Sequence, residues 1–158
     1  MDDWIEEKAA LVKKRQEQAE RARRSGAHEA DVISGQGLDM VERLEAVVRK
    51  DVEKWNAHFA DDERRRIDSV DKLNPNGFVV RKTGYPSATL QAVYDPASRA
   101  IQFSVTKVRA VGEGAYSVKG VFHLNLSESG EIYLTNRSGE HLSFVDASRH
   151  LLEAVLDT

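Results

Sequence analysis

The sequence predicts an α+β protein in two layers: a five-stranded antiparallel meander with a long helix before it, a C-terminal helix on one face, and a helical arm at the N-terminus. Three observations predict this. Apolar residues recur at helical spacing as far as Phe59, and after Gly77 the apolar period falls from about 3.6 to 2. The alternating runs are joined by connectors of hairpin length, which pair sequential strands antiparallel.

Residues 1–24 are rich in Glu, Lys, Arg, Gln and Ala, with no Pro or Gly, and read as helix. Their apolar stripe starts broad at Trp4, Ile5, Leu11 and Val12 and dwindles to Ala19 and Ala22. Residues 25–37 scatter Gly26, Gly35 and Gly37 around Val32-Ile33 and read as a hinge. The expected organisation is therefore an arm at 1–24, a hinge at 25–37 and one α+β domain at 38–158.

From Leu38 the pattern Leu38, Val41, Leu44, Val48, Val52, Trp55 and Phe59 marks one face of a second helix of about six turns. The charged run Asp61–Arg66 extends it or forms a separate turn, and Asn74-Pro75-Asn76-Gly77 is a stop. Five strands follow, at 77–82, 88–95, 100–108, 115–126 and 131–136. In the third, Ile101, Phe103 and Val105 alternate with Gln102, Ser104 and Thr106, so one sheet face is dry and the other wet. Ser143, three residues before Asp146, caps a last helix whose apolar side carries Leu151, Leu152, Val155 and Leu156. No internal repeat and no family's diagnostic motif occurs.

Composition narrows the function classes. The chain of 158 residues holds 23 Lys+Arg against 26 Asp+Glu, a net charge of −3, without the basic surplus of a dedicated nucleic-acid binder. Cysteine is absent, which excludes disulfides, thiolate metal sites and thiol nucleophiles. No apolar run approaches a membrane span, and Met1-Asp2-Asp3-Trp4 does not begin a signal peptide, so a cytoplasmic protein with no membrane partner is expected.

Motifs for chemistry are sparse. Gly35-Gln36-Gly37 lacks the third glycine of a dinucleotide-binding turn, since Met40 stands there, and a flexible hinge followed by a helix start is the simpler reading. His28, His58, His123, His141 and His150 include no pair at i,i+3 or i,i+4, so neither metal nor cofactor is expected. Asp146 with His150, and His58 with Asp62, are spaced to orient an imidazole, and surface helix pairing accounts for both. Lys13–Arg24 holds six basic against two acidic residues, but no aromatic residue lies among them to stack on bases.

Two surfaces remain. The first is the arm's apolar face, Trp4, Ile5, Leu11 and Val12, which suits a protein partner, foremost a second copy in a homodimer. The second is the wet sheet face, where Lys119, His123 and Tyr133 share an alternation, with Tyr85 in a Thr83–Pro86 lid. A solvated face is the simpler explanation of those residues. The expectation is a non-enzymatic interaction or assembly module; the alternative is a small-ligand-binding protein or enzyme with its site around His123. Catalysis is neither assigned nor excluded by the sequence.

Overall fold

The computed structural model describes residues 3–73 and 76–156; Asn74 and Pro75 of the expected stop, and two residues at each end of the chain, lie outside the described residues. In chain order the elements are α1 (Asp3–His58), β1 (Ser69–Leu73), β2 (Gly77–Lys82), β3 (Ser87–Asp95), β4 (Ala100–Val108), β5 (Tyr116–Leu126), β6 (Ile132–Thr135), β7 (His141–Leu142) and α2 (Phe144–Leu156). The chain forms two compact units, Met1–Val32 and Ile33–Thr158.

The α+β class and the antiparallel meander stand, but the sheet has seven strands rather than five, in the order β1-β2-β3-β4-β5-β6-β7, and it curls. Both extra strands are edges. In β1 only Val70 is buried, so its sequence carries too little alternation to mark a strand. β7 is two residues long and exists only through its pairing with Leu134 and Thr135.

Ser25–Gly37, expected as a hinge, is helical throughout. A glycine inside a helix costs about 1 kcal/mol relative to alanine, which strong neighbouring helix formers outweigh. Gly37 has a packing role: a Cβ there would lie 2.6 Å from Cε1 and Cε2 of the Tyr94 ring. That ring is buried against the helix, and its hydroxyl donates to the Ile33 carbonyl at 3.4 Å.

Within Ile33–Thr158 the core follows from alternation. Phe78 and Val80 of β2, Leu90 and Tyr94 of β3, Ile101 and Val105 of β4, and Phe122 of β5 project into one cluster with Val41, Leu44, Val48 and Val52 of α1. Leu38, expected on the helix's buried face, is 46% exposed; the row starts instead at Ile33 and Met40. α2 adds Ala147, Leu151, Leu152 and Val155. Its start is the anticipated reciprocal cap: the Asp146 amide donates to Ser143 Oγ at 3.0 Å, and the Ser143 amide to Asp146 Oδ2 at 3.4 Å.

Polar side chains fasten the C-terminal end of the long helix. Ser148, fully buried, donates its hydroxyl to Asp51 Oδ2 at 2.7 Å and so joins α2 to α1. The Asn56 amide brackets the Ile67 backbone, donating to its carbonyl and accepting from its N–H, both at 2.9 Å. This substitutes for strand pairing just before β1. On the sheet, Gly120 sits opposite Phe103, and any side chain at 120 would overlap that ring. Phe103 packs instead on Phe122 at 4.9 Å between centroids, and the His150 ring meets both edge-on.

Candidate functional site

Two surfaces carry most of the residues singled out from the sequence, and a third, which takes Tyr85, is assembled by the fold. On the N-terminal unit, Trp4 is 62%, Ile5 51%, Leu11 55% and Val12 46% exposed. Helical spacing puts Trp4, Ile5, Ala9 and Val12 side by side, with the Lys8 and Lys13 stems at the margin of the same shallow apolar hollow. The charges are polarised along this segment. Residues 3–7 hold Asp3, Glu6 and Glu7 with no basic residue, whereas residues 21–24 hold Arg21, Arg23 and Arg24 with no acidic one.

On the outer sheet face a hollow of about 560 Å³ is lined by Lys119 and His123 with Gln91, Gln102 and Arg137 among others. Lys119 and His123 lie four residues apart on β5, about 13 Å along an extended strand, so they line the hollow at separate points. Tyr133 does not join them: it pairs with Asn125 across the ladder, and its ring stacks on His141 at 3.9 Å between centroids. Asn125 is itself engaged, donating to Thr135 Oγ1 at 2.9 Å. Tyr85 lies elsewhere, against a different hollow. His150 is held against Phe103 and Phe122, and Asp146 closes the cap of α2, so the spacing of that pair reflects packing and capping.

The third surface is a hollow of about 690 Å³ where Trp55, in the last turn of α1, and Phe59, just beyond it, face Tyr85, Pro86 and Lys82. The Trp55 indole N–H donates to the Arg65 carbonyl at 2.7 Å, and Arg64 Nε to the Tyr85 carbonyl at 2.8 Å, so each wall is tied to its neighbour. Gly84 makes the closure possible, because a side chain there would collide with the Arg64 backbone. Lys82 is only 7% exposed; its ammonium donates to the Gly84 carbonyl at 2.7 Å and to that of Pro86 at 2.8 Å. Desolvation by burial holds this lysine below its ordinary value, opposed by the Asp68 carboxylate.

A sequence signal for this region existed. Lys82 falls in phase with the buried Phe78 and Val80, and Lys107 in phase with Ile101, Phe103 and Val105. Both pair with Ala88, so one row of the inner face reads Lys82, Ala88, Lys107. A charged residue on the dry alternation of a strand is rarely fully buried without a partner or a task.

Among the described residues no three His, Asp or Glu side chains gather into a metal-binding group, and no helix is long and apolar enough to cross a membrane. Comparison with protein-family models, curated proteins and solved structures finds no match to this chain.

Proposed function

We propose that this chain is a non-enzymatic assembly module whose N-terminal helix docks on a second copy of the same chain. The observation that carries the reading is the exposed row of Trp4, Ile5, Leu11 and Val12. Helices of such composition are marginal alone in water and gain most of their stability by covering an apolar face. Charge polarity selects the occupant. Antiparallel pairing of two copies sets the −3 of residues 3–7 against the +3 of residues 21–24, while parallel pairing would set like on like. Size agrees with charge, because antiparallel pairing also lays the bulky Trp4 and Ile5 near the small Ala19 and Ala22.

Light scattering on the full chain tests this. The expected mass is twice 17.7 kDa, with the single-chain mass in Ile5→Glu/Val12→Glu while cooperative urea unfolding of the body is retained. Glu6→Lys/Glu7→Lys should dissociate the pair, and adding Arg21→Glu/Arg23→Glu should restore it. A wild-type mass of one chain across a concentration series defeats the proposal, and a pair indifferent to the charge reversals defeats its antiparallel sense. The alternative, ligand binding on the outer sheet face, is supported by Lys119, His123 and Arg137 lining one hollow, but it loses Tyr133 and Tyr85 as contributors.

A further inference from the structure

We infer that the hollow bounded by Trp55, Phe59, Lys82 and Tyr85 is a binding site for a small aromatic carboxylate. The inference is independent of the assembly reading. Its size falls within the few-hundred to one-thousand Å³ range of small-molecule sites. Three aromatic rings line it, Trp55 and Phe59 lying 4.6 Å apart between centroids at 45° and Tyr85 coming from the β2–β3 connection. Rings so arranged offer flat apolar contact to another ring.

Charge specifies the rest of the ligand. Among the described residues that line the hollow, Lys82, Arg64 and Arg65 bring three positive charges against the one negative charge of Asp62, so this wall favours an anion. Asp62 is already engaged by Arg65 at 3.5 Å, and the Arg65 guanidinium also lies over the Phe59 ring at 5.5 Å. A lysine ammonium has three N–H donors. Two of those on Lys82 reach the carbonyls of Gly84 and Pro86, which leaves one donor on a nearly buried cation that lines the hollow. A carboxylate accepts that hydrogen bond as a charge-assisted one, stronger in this shielded setting than in water. The two backbone acceptors hold the ammonium in place before any ligand arrives, which lowers the ordering cost of binding.

The test uses the full chain and 3-phenylpropanoate as the probe, with 3-phenylpropanamide as its neutral counterpart and hexanoate as its aliphatic one. Calorimetry gives the affinities. Emission of Trp55 in a Trp4→Phe background, where it is the sole tryptophan, reports the location. The expected result is saturable binding of the aromatic carboxylate with a change in Trp55 emission. Affinity should fall about tenfold or more for the amide, for hexanoate and for Lys82→Met, as expected on losing a charge-assisted contact or the ring contact. Tyr85→Ala, at a half-exposed position, provides a second variant should Lys82→Met fail to fold, with the same direction of effect. Absence of saturation, binding that leaves Trp55 emission unchanged, or equal affinity for carboxylate and amide overturns the inference.

Discussion

Gly35 and Gly37 lie two residues apart on the same helix, yet alanine should act on them in opposite directions. A Cβ built on Gly35 meets nothing within 4 Å, so Gly35→Ala changes only the backbone term and should stabilise the body by about 1 kcal/mol. Gly37→Ala gains the same term but drives a methyl to 2.6 Å from two carbons of the Tyr94 ring, where carbon–carbon contacts relax only beyond about 3.5 Å. Tyr94 is 2% exposed and cannot step aside into solvent. Overpacking of this kind costs about 1–3 kcal/mol, rising when the ring must also give up its bond to the Ile33 carbonyl, so the net effect is a loss of about 1–2 kcal/mol. Urea unfolding followed by far-ultraviolet circular dichroism separates the two variants by about 2–3 kcal/mol in opposite directions from wild type. A Gly37→Ala protein as stable as wild type would refute the packing argument, and a destabilised Gly35→Ala would refute the claim of open space.

Two further outcomes follow from named contacts. Ser143→Ala removes the acceptor of the Asp146 amide at the start of α2 and should cost about 1 kcal/mol in the same urea assay; a loss of only a tenth or two would mean that the cap does not hold the helix. Because Lys82 is held below 10.5 when folded, the unfolded chain binds more protons between that lowered value and 10.5. Its desolvation penalty is therefore fully present below the folded value and is relieved as pH rises through it. Wild type should gain in urea midpoint relative to Lys82→Met as pH rises toward 10.5, and a difference that does not move with pH contradicts the sign.

Periodicity is a local property, so the helical character of residues 3–24 and 38–58, the strands β2 to β6, the Ser143–Asp146 cap and the α+β class are legible in the residues alone. It also pointed to Trp4, Ile5, Leu11 and Val12 as an apolar face and placed Lys119 and His123 on one polar face. Tertiary structure decided everything that depends on a partner distant in the chain. β7 is two residues made into a strand by Leu134 and Thr135, and the glycines of 25–37 read as a break until Tyr94 is seen seated on Gly37. Tyr133 shares an alternation with His123, but whether it turns to Lys119 or stacks on His141 depends on a hairpin that alternation does not encode. Lys82 shows the same division: its phase with Phe78 and Val80 was in the sequence, while its burial against Gly84, Pro86 and the end of the long helix arises only when residues more than twenty positions apart close one hollow. Local pattern sets which face a side chain belongs to; what covers that face is a long-range term that only the assembled fold supplies.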